Sequence, residues 1–238
     1  MSHFVTAVFS RTRDEVESLL APYNECDEAY YEFEEVNLSE LESCYHRYLQ
    51  QNPDSMLTFE QYVEDLGYTM HDGVAGYMTN PNARWDWWQI GGRWAGELNL
   101  KPDFADYCEH DTGEMNSNQA KAVAVDFSGS PAQHAEAEKF WDNYVEGKNP
   151  EAEWDYWSPE YYKERYGTKE NYASHCARFS VHAFVTPDGD WYEQGQMGWF
   201  AVDDATPASI REFDDNLKLM IERAIAEDLW ITVVDCHI

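Results

Sequence analysis

The C-terminal stretch from Ala177 onward constrains the fold most. Ala177–Thr186 (ARFSVHAFVT) alternates apolar and polar residues with the period of two that a half-buried strand requires. Pro187-Asp188-Gly189 follows as a tight turn of hairpin chemistry, and Asp190–Gln194 (DWYEQ) reads as the return strand. Thr206-Pro207 then opens a long helix running to Glu227. Ile210, Phe213, Leu217, Met220, Ile221, Ala224 and Ile225 line one side of it. Leu229–Cys236 (LWITVVDC) is a last strand dense in β-branched residues. A helix with such a stripe has to bury it, and the strands beside it offer a sheet face.

The N-terminus matches this ending. His3–Phe9 (HFVTAVF) reads as a strand, and Arg13–Ala21 as a helix with Val16, Leu19 and Leu20 inward, stopped by Pro22. The order β–α, a mixed middle, then β–β–α–β predicts an α+β fold. Its sheet is antiparallel or mixed, with helices packed on one face, and a ferredoxin-like arrangement with a large inserted middle fits the order. The expected organisation is a single domain over residues 1–238. Core strands lie near 3–9, 177–202 and 229–236, and the inserted, mostly helical and irregular region near 38–170. Within that region Leu38–Gln50, with Ser39 as N-cap, Met56–Leu66, Pro131–Glu146 and the segment opened by Ser158-Pro159 read as helices. Lys121–Phe127 reads as a short strand, Gly67–Gly76 as turns, and Glu25–Glu35 as an acidic strand.

The densest stretch lies at residues 80–94, NPNARWDWWQIGGRW. Asn80-Pro81-Asn82 has turn chemistry, and Gly91-Gly92 permits positive φ or a close backbone approach. Two readings stay open. In one, Arg84, Trp85, Trp87, Arg93 and Trp94, with Trp191 and Trp199 further on, form a pocket: aromatic faces hold a flat ligand and the arginines grip phosphate or carboxylate. In the other, the stretch is a structural hub whose arginines are met by carboxylates. It is neither a P-loop nor a dinucleotide fingerprint, because the Gly-Lys-Ser/Thr end and the third glycine are missing.

Charge narrows the partners. The chain has 16 Lys+Arg against 46 Asp+Glu, a formal net charge of −30. Such a field repels phosphate backbones and attracts basic surfaces, so direct nucleic-acid binding is not expected and a host protein with a basic surface is. Hydrophobic content of 43% is too high for a disordered acidic chain. Tyr30, Tyr31, Glu34 and Glu35, and likewise Trp154, Asp155, Tyr156 and Trp157, set aromatic anchors among acids, the composition of a partner-binding surface. Equally, half of each stripe could face the core. No signal peptide, membrane span or CxxC pair is evident, so a cytoplasmic protein with reduced thiols is expected.

Catalytic motifs are wanting. There is no Gly-x-Ser-x-Gly elbow. A Cys–His pair such as Cys176 with His182 or His237 would have to be assembled by the fold. Cys108 and His110, His175 and Cys176, and Asp235-Cys236-His237 are scattered donors without zinc spacing. No catalytic set, cofactor or metal is expected.

Two motifs occur together: NPNARWDWWQIGGRW at 80–94, and TPDGDWYEQGQMGWF at 186–200, the latter preceded by Glu164-Arg165-Tyr166-Gly167. This pairing resembles a family of bacteriophage and bacterial proteins to which no activity is attached. The resemblance implies phage or prophage carriage, and with it an inhibitory or modulating role against a host defence protein; the net charge of −30 adds nucleic-acid mimicry as a way of docking on a basic partner. The alternative is a nucleotide- or small-molecule-binding protein, sponge or enzyme, built on the Arg/Trp pocket.

Overall fold

A computed structural model of the chain describes residues 2–104, 115–128, 131–149, 155, 157–198 and 202–238. Trp154, Tyr156, Trp199, Cys108 and His110 lie outside the described residues. In chain order the strands are β1 (His3–Ser10), β2 (Glu32–Glu35), β3 (Thr69–His71), β4 (Val74–Thr79), β5 (Trp87–Ile90), β6 (Gln119–Lys121), β7 (Ala183–Val185), β8 (Trp191–Glu193) and β9 (Trp230–His237). The helices are α1 (Val16–Leu20), α2 (Leu38–Gln51), α3 (Phe59–Asp65), α4 (Pro131–Phe140), α5 (Pro159–Tyr166), α6 (Lys169–Ala177) and α7 (Pro207–Ala226). The class is α+β. By contact the chain divides into two compact units, Met1–Ala21 with Trp85–Ile238, and Pro22–Arg84.

The first unit is built on a mixed sheet of order β5-β9-β1-β7-β8, with β6 also paired to β9. The terminal strands β1 and β9 pair antiparallel along their whole length, from His3↔His237 to Ser10↔Trp230. β7 runs parallel to β1 through Thr6↔Ala183 and Val8↔Val185, and β8 returns antiparallel to β7. In a ferredoxin-like sheet another strand splits the βαβ unit. Here β1 and β7 pair directly, so this sheet departs from that topology.

Alternation sorts the strand residues between two faces. Ala7, Phe9, Phe184, Ile231 and Val233 turn to one side and meet Phe213, Leu217, Met220 and Ala224 of α7 in a single buried cluster. Each large member contributes roughly 1.5–3 kcal/mol when fully buried. α7 begins where the sequence marks it: Thr206 Oγ1 accepts from the Ser209 N–H at 3.1 Å, and Pro207 occupies the first turn.

Three expectations need correcting. The strand read over 177–186 shortens to Ala183–Val185, because α6, capped by Thr168, continues to Ala177. Phe179 and Val181 still pack into the core, so a period of two survives there without a named strand. Pro22 does not stop the first helix; it sits inside a 3-10 turn, Ala21–Tyr23, that continues it. The strand expected over 121–127 ends at Lys121, and a 3-10 turn follows that buries Ala122 and Ala124.

The second unit carries a three-stranded antiparallel sheet of order β2-β4-β3 with α2 and α3. The segment read as turns is the β3–β4 hairpin. Asp72 (φ 51°) and Gly73 (φ 82°) supply the two left-handed residues that a two-residue hairpin requires. Asn37, not Ser39, caps α2: its side chain accepts from the Ser39 and Glu40 N–H groups. Val63 and Ala75 are fully buried, and Tyr45, Tyr48, Phe59 and Tyr62 form a ring cluster between α2 and α3.

Candidate functional site

In the first unit α5 and α6 gather rings around an open hollow of about 430 Å³. Ser158 caps α5 by accepting from the Tyr161 N–H, and helical spacing then puts Tyr161 beside Arg165 and Tyr162 beside Tyr166. On α6, Tyr172 and Cys176 share a face in the same way. Tyr172 lies 5.6 Å from Tyr162 and 5.1 Å from Tyr166, and Tyr166 lies 5.2 Å from His175. Trp157 stacks on Tyr161 at 4.4 Å. His3, Val5 and His182 complete the hollow from β1 and from the approach to β7, joined by Trp94 and Asp203.

A buried ion pair forms its polar floor. Arg165 and Asp203 bond directly, with side chains 11% and 4% exposed. The remaining groups are satisfied as such a pair requires. Arg165 Nη2 donates to Gln194 Oε1 at 3.1 Å, Gln194 Nε2 donates to the Val181 carbonyl at 3.0 Å, and Asp203 Oδ1 accepts from the Ala205 N–H at 3.2 Å. The guanidinium also lies 5.8 Å from the centre of the Tyr161 ring and 5.7 Å from that of Tyr166. Burial alone would lower the Arg165 pKa; the Asp203 carboxylate and the tyrosines raise it above its ordinary value.

His182 faces this pair, its Nδ1 3.5 Å from Asp203 Oδ2. Burial holds the ring well below its usual pKa, with Arg165 adding to the fall, although Asp203 and the Gly195 carbonyl pull the other way. Its Nε2 is buried without a hydrogen-bond partner. His175 bonds Ser180 Oγ through Nε2 at 3.1 Å, and burial pushes its pKa down to about 3. Cys176 lines the same hollow as His182, but burial raises its pKa. A thiolate nucleophile needs the opposite shift. Cys236 is buried on β9, where burial pushes its thiol up to about 12.

A second constellation closes the sheet where β1, β5 and β9 meet. His3 Nδ1 lies 2.8 Å from Asp235 Oδ1, and His237 Nδ1 lies 2.5 Å from Asp86 Oδ1. The two imidazoles meet edge to face at 4.9 Å. Asp235 Oδ2 also accepts the Arg93 N–H at 3.0 Å.

Among the described residues, the side chains read as a ligand pocket have different surroundings. Trp94 lines the hollow just described. Trp85 is 4% exposed and belongs to the core, while Trp87 is 46% exposed on β5, edge-on to His3. The Arg93 residue is exposed, and its backbone holds Asp235. Trp191 donates from Nε1 to Glu193 Oε2 at 3.0 Å and meets Phe4. Arg84 belongs to the second unit, where Nη1 donates to the Ala83 carbonyl at 2.8 Å. Reasoning from sequence left Arg165, Gln194 and Asp203 out of the candidate site and named His182 only as a partner for Cys176, which lines the same hollow. The signal for Arg165 was the Glu164–Gly167 segment ahead of the second motif.

Of the residues read as partner anchors, Trp157 lines the hollow and Asp155 Oδ1 accepts its N–H at 3.1 Å. In the second unit β2 is an edge strand, and Glu32, Glu34 and Glu35 are exposed on it. Tyr30 beside it is 38% exposed, and Tyr31 donates to the Glu25 carbonyl at 3.0 Å. Glu35 borders an open hollow of about 400 Å³ shared with Phe33, His71, Val74 and Met78.

Among the described residues no group of three His, Cys, Asp or Glu side chains is placed to hold a metal ion, and no helix is long and apolar enough to cross a membrane. Comparison with family models, with curated proteins and with solved structures finds no match.

Proposed function

We propose that the protein is an acidic recognition protein that occupies a basic, nucleic-acid- or ligand-binding surface of a host protein and thereby inhibits or modulates it. The observation that carries this reading is the β2 edge. Three exposed glutamates lie on a strand with one side unpaired among the described residues, next to Tyr30 and to a hollow containing Phe33 and the 53% exposed Met78. Long-range attraction from a chain of net charge −30 would steer a basic partner, and the aromatic and thioether groups would anchor it. An open edge also offers main-chain pairing to an extended segment.

The test is capture from host lysate by the protein and by a Glu32→Gln/Glu34→Gln/Glu35→Gln variant. The reading expects a basic partner retained at low salt, released at high salt, displaced by added DNA or RNA, and lost from the variant. A partner held equally by both proteins and indifferent to salt would refute it.

A further inference from the structure

We infer that the partner is held by an extended basic segment that pairs main chain to main chain with the open side of β2. Its basic side chains lie opposite Glu32, Glu34 and Glu35, and an apolar one lies opposite Phe33. The inference rests on the partner-surface reading above and specifies what that surface binds.

The ladder fixes where the backbone groups point. β2 pairs with β4 from Glu32↔Thr79 to Glu35↔Gly76, and just beyond it the Val36 N–H donates to the Ala75 carbonyl at 2.9 Å. Hydrogen-bonding groups alternate sides along a strand, so Glu32 and Glu34 face β4 as Val36 does. Phe33 and Glu35 turn their N–H and C=O groups the other way, where no strand pairs with them among the described residues. The three glutamates on this strand are exposed, so an incoming chain can reach it. Donors and acceptors at alternate positions are what an added strand engages.

Side chains give the segment its composition. Residues opposite each other on neighbouring strands share a face of the sheet. Phe33 and Glu35 lie on the face that carries His71, Val74 and Met78, around the open hollow of about 400 Å³. The Phe33 ring rests across Gly76, where an added Cβ would lie 2.5 Å from Phe33 Cζ. An apolar side chain opposite Phe33 packs on that ring. Glu34 accepts from the Tyr77 hydroxyl at 3.0 Å, a neutral donor that leaves its charge unmatched. Basic side chains opposite the glutamates supply the missing charge.

The same charges choose among occupants. Acids on an edge strand guard it against other strands. A second copy of this chain would set its own glutamates against these, and like charges placed opposite each other repel. For a basic segment the guard becomes an attraction, reinforced at long range by the net charge of −30.

The probe is the peptide acetyl-Thr-Lys-Lys-Val-Lys-Lys-Thr-amide, whose side-chain order is the same in either strand direction. It is titrated calorimetrically into the protein at low salt beside two copies of equal charge. One copy is N-methylated at the valine, the other at both inner lysines. Only one of these sets of amides can face β2: the valine's if the added strand is antiparallel, the lysines' if it is parallel. The parent peptide should bind, one methylated copy should bind about tenfold or more weakly, and the other should match the parent. Hydrogen exchange gives a second readout on the unmodified protein. The peptide should slow exchange at the Phe33 and Glu35 amides, with the methylated copy that retains affinity doing the same. No binding up to about 1 mM, equal affinity of the two methylated copies, or unchanged exchange at Phe33 and Glu35 would each overturn the inference. A salt-released host partner lost from the glutamate variant, together with equal affinity of the methylated copies, would reject strand pairing and leave the partner-surface reading standing. The expected methylation pattern without any captured host partner would do the reverse.

Discussion

At Gly92 one added methyl group has nowhere to go. Its φ is +54°, and a Cβ there would lie 2.4 Å from the Asp235 Cβ. Gly92→Ala should therefore cost about 2–4 kcal/mol, the sum of left-handed strain and overpacking, read from urea unfolding. A loss under about 0.5 kcal/mol, an ordinary surface effect, would show that the close approach is not real. The Arg165–Asp203 pair makes a sharper claim. Asp203→Asn leaves a buried guanidinium uncompensated and should cost about 3–5 kcal/mol. Arg165→Met/Asp203→Leu should recover much of that; a double variant as unstable as the single one would disprove the assignment. His175 predicts a pH dependence. Above its ordinary pKa of 6.5 the ring is neutral in folded and unfolded chains alike. Below it the unfolded chain takes up a proton that the folded chain refuses until about pH 3, so stability falls as pH drops through that window. The slope from this ring is at most about 1.4 kcal/mol per pH unit, and His175→Gln should flatten the curve by that amount between pH 6.5 and 5. Curves that stay parallel would mean that the ring titrates normally.

Among the elements, α7 was the most legible. Its N-terminal Thr-Pro and its apolar stripe are local signals, and the structure buries Ile210, Phe213, Leu217, Met220 and Ala224. Ile225, read as part of the same stripe, is 41% exposed, since the sheet covers a narrower arc than the stripe occupies. Leu217→Ala should cost about 2–5 kcal/mol by calorimetry and Ile225→Ala under about 1; equal losses would mean that the helix is seated differently. Other elements were harder to read. The β3–β4 hairpin carried the Asp-Gly signal but lay in a stretch poor in alternation. The 177–186 strand was overextended because core packing of Phe179 and Val181 imitates a ladder.

For the molecule as a whole, charge dominates. Exposed ion pairs such as Arg223 with Glu227 are screened by salt, which weakens them. With 46 acidic against 16 basic residues, however, repulsion outnumbers attraction, and salt screens that as well. Raising NaCl from about 0.05 to 0.5 M should raise the urea midpoint. A midpoint that fell would mean that specific pairs, not net repulsion, set the balance.

The sequence by itself determined what local rules govern: the period of α7, the density of β-branched residues in β9, the turn at Asn80, the backbone freedom at Gly91-Gly92 and the sign of the field. Tertiary structure alone decided which residues meet. His3 finds Asp235 across a separation of 232 residues, and His182 and Arg165 find Asp203 from different segments. Such meetings are set by strand order and by the packing of α5 and α6, and no spacing along the chain encodes them.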